Sequence, residues 1–122
     1  MEFLEITHMA SQHLPNYLRT YRKNAALSQE DVAYLLGAQS GAKVCRYERF
    51  TREPGLKTAL AYEAIFQTPI SKLFPGLYEK IQSQVKARAK RLEGRNSGGN
   101  ANRLETLKRQ TLTGIVPKPK AV

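Results

Sequence analysis

The stretch "LSQEDVAYLLGAQSGAKVCRYERF", residues 27–50, contains two short helical patterns separated by a turn. Ser28 is suited to cap the first pattern, because Asp31 stands three residues later in the position of a capping box. Gly37 is suited to end this helix. The buried stripe between these two ends is expected to consist of Val32, Leu35 and Leu36. We therefore predict a helix over about 29–36.

The second pattern predicts a helix over about 41–49, with Ser40 as its N-cap. Val44 and Tyr47 are its large inward-facing residues. A helix of two turns is not stable alone in water, so tertiary packing has to hold it. Its remaining surface is basic and includes Lys43, Arg46 and Arg49.

Apolar spacing predicts three more helices around this unit. The first covers about 15–25 and begins near Pro15, which suits a first helical turn. The next begins at Leu56 and reaches Phe66, and the last places Ile70, Leu73 and Phe74 inward before Pro75 and Gly76 end it. Four tyrosines at helical spacing are expected in the core or at its edge: Tyr17, Tyr21, Tyr47 and Tyr62.

The charge of the chain is large and unevenly distributed. The 122 residues include 20 Lys and Arg and 10 Asp and Glu, a net charge of +10. Residues 1–76 hold nine basic and seven acidic side chains, whereas residues 77–122 hold eleven and three. Such a charge indicates a polyanionic partner, which is nucleic acid, an anionic membrane surface or another polyanion.

These patterns predict an all-α protein in four segments: a flexible N-terminal arm (1–12), a compact five-helix domain (13–76), a basic helix (77–93) and a flexible basic tail (94–122).

The basic helix carries a thin apolar seam of Leu77, Ile81, Val85 and Leu92. This seam packs on the domain, pairs with a second subunit or stays solvated; the pattern leaves all three open. The tail begins with the linker "GRNSGGN", and "ANRLETLKRQTL" within it has a helical pattern. The tail lies along DNA phosphates or serves only as a solubilising charge run.

Several classes of function are not expected. The single cysteine, Cys45, excludes an internal disulfide, fits a reducing compartment and is expected to be half-buried. His8 and His13 have no further ligands at metal-binding spacing. No nucleophile–base pair, phosphate loop or carboxylate dyad occurs, so we expect neither an enzyme nor a cofactor.

We also expect a cytoplasmic protein without a membrane partner. No apolar run approaches the roughly 18 residues of a membrane span. The N-terminus carries two acids and no Lys or Arg, unlike a secretory signal. Met9 is an alternative start of translation.

The segment from Leu18 to Phe74 resembles the helix-turn-helix domain of the lambda-repressor-like family (Cro/C1-type, also called the xenobiotic-response-element family). The matching pieces keep one register and include "LSQE", "LLG", "RYE" and the "LF" at 73–74. The resemblance covers about half of the chain. It implies a compact five-helix domain that binds double-stranded DNA sequence-specifically as a homodimer. We expect a transcriptional repressor of a phage or mobile element.

Within this frame the polar residues near the start of the second helix of the motif should face the major groove. Gly41 and Ala42 fall at positions that often read bases in the family, and both are small enough for close approach. Base contacts are therefore expected from Ser40, Ala42, Lys43 and Arg46, with Arg46 best suited to guanine. Phosphate contacts are expected from Gln29, Gln39, Arg49, Thr51 and Arg52.

The resemblance also implies a structural ion pair between Arg22 and Glu48. The chain departs from the family pattern in two places. Val44 follows Gly37 by seven residues instead of six, which lengthens the turn or starts the next helix one residue earlier. Glu63 replaces a small residue, and at an inward position it would need Arg19 or Arg22 as a partner.

Two other functions compete with this interpretation. One is an antitoxin-type autoregulator whose C-terminal segment, within residues 77–122, binds a partner protein. The other is nonspecific binding of nucleic acid through the basic C-terminal region.

Overall fold

The computed structural model describes residues 14–95 and 102–116, and its regular elements within them are helices alone. They are α1 (Leu18–Asn24), α2 (Gln29–Leu36), α3 (Ala42–Glu48), α4 (Leu56–Phe66), α5 (Ile70–Leu73), α6 (Pro75–Arg95) and α7 (Arg103–Ile115). The prediction of an all-α protein is confirmed. The chain divides into two units, Met1–Tyr78 and Glu79–Val122.

Helix α2 begins and ends as its sequence predicts, because both of its ends are set locally. The Asp31 N–H donates to the Ser28 hydroxyl at 3.0 Å, and the Ser28 N–H donates to the Asp31 carboxylate at 2.9 Å. This second bond lowers the pKa of Asp31. At the other end Gly37 has a φ of 77°, which a glycine adopts without strain.

The core of the first unit receives side chains from each of its first five helices. Its buried members are Leu18, Val32, Ala33, Val44, Tyr47, Tyr62, Leu73 and Phe74. The Tyr62 ring packs edge-on against Tyr47, with centroids 6.2 Å apart, and stacks on Phe66 at 6.0 Å. The short α3 is therefore held by apolar packing, as its length requires.

Two predicted core residues lie at the surface instead. Leu35 is 52 % exposed and Tyr17 is 53 % exposed. The inward side of α2 consists of Val32, Ala33 and the half-buried Leu36, and Leu35 lies away from it. The spacing of the apolar residues alone did not show whether Leu35 lies on the buried or the exposed face of α2.

Glu63 does not take the inward position predicted for it. It is exposed, and its carboxylate accepts a hydrogen bond from the Ile70 N–H at 3.1 Å. Pro69, which precedes α5, provides no side-chain cap. Glu63 supplies the missing acceptor and does not need an arginine partner.

Helix α1 begins at Leu18 rather than near Pro15. The Asn16 side chain accepts a hydrogen bond from the Leu18 N–H at 2.9 Å and donates one to the Tyr47 carbonyl at 3.0 Å. Asn16 thus caps α1 and connects it to α3.

The region after α5 is more helical than predicted. Pro75 and Gly76 begin α6 instead of only ending α5, in accord with the preference of proline for a first turn. Residues 103–115, assigned to a flexible tail, form α7, and the Asn102 side chain caps this helix at 2.8 Å from the Glu105 nitrogen. The predicted arm lies outside the described residues, as does the linker except for Gly94 and Arg95.

In the second unit, Ala89 of α6 and Leu112 of α7 are buried. The Thr113 hydroxyl of α7 donates to the Arg109 carbonyl at 2.8 Å, and its oxygen lies 3.4 Å from the Glu93 carboxylate of α6. Other seam residues of α6, namely Ile81, Val85 and Leu92, remain 38–49 % exposed. Across the described ranges, none of the helices combines the length and apolar character needed to cross a membrane.

The buried Tyr62 hydroxyl predicts a loss of stability at alkaline pH. It has no hydrogen-bond partner among the described residues, and burial raises its pKa. Above the unfolded pKa of about 10 the unfolded state releases this proton first, so stability falls by up to about 1.4 kcal/mol per pH unit. Replacing Tyr62 with Phe removes this contribution. Urea unfolding at fixed pH values between about 9 and 11.5 should show the Tyr62→Phe curve declining less than the wild-type curve.

The matched control for this experiment is Tyr34→Phe, because Tyr34 is 83 % exposed. Its stability should run parallel to that of the wild type over the same pH range. A Tyr62→Phe curve that is also parallel would show that the buried hydroxyl does not titrate with unfolding.

Candidate nucleic-acid interface

Helices α2 and α3 meet closely at the end of the turn Gly37–Gly41. The Gly41 N–H donates to the Glu30 carboxylate at 2.8 Å, and Gly41 itself is buried. A Cβ atom at position 41 would lie 2.5 Å from Glu30 Oε2 and 3.3 Å from Gln29 Cβ. The φ of Gly41 is −71°, which any residue can adopt. Space, rather than backbone conformation, therefore favours a glycine here, because a larger residue would have to displace the Glu30 carboxylate.

This geometry corrects the predicted start of α3. The N-cap is Gly41, not Ser40, whose exposed hydroxyl oxygen accepts only a long bond of 3.4 Å from the Ala42 N–H. Gly41 also packs against α2, so its small size serves the contact between the two helices. The Glu30 carboxylate accepts the hydrogen bond of the Gly41 N–H, so α2 supplies a partner at this end of α3.

The four predicted base-contact residues lie on one concave surface beside the turn, which we call the α3 surface: Ser40, Ala42, Lys43 and Arg46. All four are exposed. Gln39, predicted to contact phosphate, lines the same concavity. The opposite side of α3 is buried through Val44, Tyr47 and Glu48. One side of this helix is therefore fixed in the domain and the other is available to a ligand.

Arg22 and Glu48 form the ion pair predicted from the sequence. Arg22 Nε donates to Glu48 Oε2 at 2.6 Å, and Arg22 Nη2 donates to Oε1 at 3.0 Å. The side chains are only 11 % and 4 % exposed. Arg22 Nη1 also donates to the Leu27 carbonyl at 3.0 Å. The hydrogen bond to Glu48 raises the pKa of Arg22, so the guanidinium remains charged.

Gln29, predicted to contact phosphate, belongs to this network. Its side-chain nitrogen donates to Glu48 Oε1 at 3.2 Å. Since Arg22 lies in α1, Gln29 begins α2 and Glu48 ends α3, the network joins three helices.

The loop after α3 contains the remaining predicted phosphate contacts, and all three are exposed. The Thr51 N–H and hydroxyl both donate to the Arg46 carbonyl, each at 3.1 Å. Thr51 thus closes the C-terminal end of α3, and its hydroxyl proton is not available to a phosphate in this arrangement. Arg49 and Arg52 carry the positive charge of the loop.

Sequence reasoning missed two positioning residues, Glu30 and Asn16. Glu30 accepts its hydrogen bond from Gly41, which lies eleven residues later in the chain. Asn16 makes its contact with Tyr47 across 31 residues. A local capping pattern does not predict bonds of this sequence separation.

Cys45 is half-buried and has a free thiol, as expected. Across the described ranges, no group of three or more His, Cys, Asp or Glu side chains is arranged to hold a metal ion. His8 and His13 fall outside those ranges. Comparisons of the chain with protein-family models, with curated proteins and with solved structures give no match. A function therefore has to be inferred from the geometry of the site.

The Arg22–Glu48 pair predicts strongly non-additive effects of substitution. Arg22→Met or Glu48→Leu alone leaves a buried charge without its partner and should cost about 3–5 kcal/mol. The double variant removes both charges and should cost less than the two single variants together. Urea unfolding of all four proteins measures the coupling. Additive losses would show that the two side chains do not stabilise each other.

Gly41→Ala should destabilise the domain by about 1–2 kcal/mol, because the new methyl group displaces the Glu30 carboxylate from the Gly41 N–H. Gly55→Ala is the matched control. Gly55 also caps a helix, its φ is −70°, and nothing lies within 4 Å of a Cβ built there. Both variants place alanine at a helix N-cap with a negative φ, while ψ is −4° at Gly41 and 175° at Gly55.

A double-mutant cycle identifies the contact responsible. Glu30→Ala breaks the same hydrogen bond, so adding Gly41→Ala to it should cost clearly less than Gly41→Ala costs alone. Equal costs in the two backgrounds would assign the effect of the methyl group to another neighbour.

Proposed function

We propose that this chain is a sequence-specific DNA-binding transcriptional regulator, acting as a repressor, that inserts α3 into the major groove. The observation that carries this proposal is the two-sided character of α3. Its buried side is fixed by Val44, Tyr47 and the Arg22–Glu48 pair, and its other side presents the α3 surface. A recognition helix needs both properties, since base readout depends on accurate placement of a few exposed side chains.

The side chains of the α3 surface suit the chemistry of base edges. Arg46 has the planar fork that binds guanine O6 and N7 in a bidentate manner, and Lys43 suits a guanine or a phosphate. Ala42 presents a methyl group to the methyl group of thymine, and Ser40 pairs with either a donor or an acceptor. The major groove, about 12 Å wide, admits a single α-helix. Small residues at 40–42 favour close approach at the N-terminal end of α3.

Contacts with phosphate would come from residues on both sides of α3. Arg49 and Arg52 lie in the exposed loop after it, and Gln39 lies in the turn before it. Gln29 lies at the first position of α2. Such contacts add affinity and salt dependence and carry no sequence information.

We further propose that α1–α5 form a domain of the lambda-repressor-like kind, with α2 and α3 as its helix-turn-helix. The order of five helices, the capped α2 and the close α2–α3 contact at Gly41 support this assignment. A homodimer on two half-sites about 34 Å apart would follow from it. Selection of bound sites from random double-stranded DNA would then yield a palindrome.

Arg46→Ala provides the direct test of groove readout. On the selected site it should lower the preference for one base pair by about 1–3 kcal/mol and leave binding to unrelated DNA nearly unchanged. Competition binding against single-base variants of the site measures this preference. Arg52→Ala is the control, because loss of a phosphate contact should weaken binding to all sequences equally.

Two outcomes would overturn the proposal. Equal binding of the wild-type protein to selected and scrambled DNA would exclude sequence-specific recognition. An Arg46→Ala variant that keeps the full preference of the wild type would exclude α3 as the reading element.

A further inference from the structure

Helix α6 separates its side chains into three faces along its second-unit part, residues 79–95. At about 100° per residue, one face spans some 80° and carries four basic residues and no acid, with Gln84 among them. We call it the α6 cation stripe, and it consists of Lys80, Arg88, Arg91 and Arg95. A second face of similar width is apolar and carries Ile81, Val85, Ala89 and Leu92. The third face mixes charges, with Glu79, Lys86, Lys90 and Glu93.

The acidic residues of α6 are segregated from the cation stripe. Glu79 and Glu93 both lie on the mixed face, where lysines accompany them. All four members of the stripe are exposed, and none of them forms an ion pair with an acid in the described part of the chain. The positive charge of the stripe is therefore uncompensated within its own helix.

This segregation has a local energetic cost. Arg88 and Arg91 are three residues apart, and Arg91 and Arg95 are four apart, so both pairs are neighbours on the helix surface. Like charges at these spacings destabilise a helix. Placing one of the acids within the stripe would remove this repulsion. A polyanion bound along the stripe removes it as well.

We propose that the α6 cation stripe binds the phosphate backbone of double-stranded DNA without sequence preference. The inference rests on the proposed function, because it assigns the sequence-independent part of the affinity to a defined surface outside the α3 surface. The stripe extends about 22 Å from Lys80 to Arg95 at roughly 1.5 Å per residue. DNA presents a continuous row of negatively charged phosphates, with one charge per about 1.7 Å of its axis. Three of the four cations are arginines, which bind phosphate oxygens in a bidentate manner.

An anionic membrane surface fits α6 less well. A helix lying on lipid needs an open apolar face opposite its polar one. In α6 the cation stripe is centred about 100° from the apolar face rather than opposite it. Ala89, at one edge of the apolar face, is buried, while Ile81, Val85 and Leu92 are 38–49 % exposed. The stripe itself contains no apolar residue that would enter the lipid. Binding to the DNA backbone requires only a row of exposed cations, which the stripe provides.

Two double variants of equal charge test the proposal on the full-length protein. Arg88→Gln/Arg91→Gln removes two charges from the stripe, and Lys86→Gln/Lys90→Gln removes two from the mixed face of the same helix. We expect the stripe variant to reduce the slope of log affinity against log salt by about 1.8, which follows from two lost phosphate contacts. Between 50 and 200 mM salt this corresponds to about a tenfold smaller loss of affinity. The mixed-face variant should change the slope much less.

Further measurements separate the contact from other effects. Arg88→Lys/Arg91→Lys keeps both charges and should retain the wild-type slope, and circular dichroism should show equal helix content in all variants. Equal slope changes in the stripe and mixed-face variants would overturn the proposal, because net charge alone would then explain binding. It would also be overturned if the stripe variant lost binding to phosphatidylglycerol vesicles and kept its DNA slope.

The test is independent of sequence recognition. The salt slope is measured on unrelated DNA, whereas the proposed regulatory function depends on the preference for a selected site. A wild-type protein without such a preference would refute the proposed function even if the stripe variant behaves as expected. A normal preference with an unchanged slope in the stripe variant would refute only the role of the stripe.

Discussion

The buried pair of Arg22 and Glu48 is the interaction on which the placement of α3 depends. Burying two charges costs several kcal/mol per ion, and only dense hydrogen bonding offsets that cost. Here the Glu48 carboxylate accepts bonds from Arg22 Nε and Nη2 and from Gln29, while the third guanidinium nitrogen bonds to the Leu27 carbonyl. An apolar pair would tolerate sliding or rotation of the helices. This network has one satisfied geometry, so it fixes the C-terminal end of α3 relative to α1 and α2.

The N-terminal end of α3 is fixed by a different constraint, which is space. Gly41 approaches α2 so closely that a Cβ would collide with Glu30, and its N–H bonds to that same carboxylate. Between the two ends, Val44 and Tyr47 are buried in the core. Three independent contacts thus determine the position of a helix of only seven residues. Its exposed side chains can be small or few, because their placement does not depend on their own contacts.

The sequence predicted those elements whose ends are set within a few residues. The capping box and the Gly37 terminus gave the bounds of α2 correctly, and the Arg22–Glu48 pair followed from a family resemblance. The errors at Leu35, Ser40 and Glu63 share a physical cause. Each of these side chains had a plausible local role in the sequence. In the structure, the role was determined by a contact from another helix or by which face of the helix is buried. The capping of α5 by Glu63, and the replacement of Ser40 by Gly41 as the N-cap of α3, both depend on tertiary structure that periodicity does not contain.

The distribution of charge suggests how specificity and affinity are divided under the proposed function. Residues 1–76 hold nine basic and seven acidic side chains, too small an excess to attract DNA strongly. One of those nine, Arg22, is neutralised by a buried partner, and Lys43 and Arg46 are committed to the α3 surface. Accurate base readout needs a rigid helix, whereas phosphate attraction needs only exposed charge at the right distance. Concentrating the excess charge beyond residue 76 allows a core that carries little like-charge repulsion, and leaves the α3 surface to discriminate between sequences.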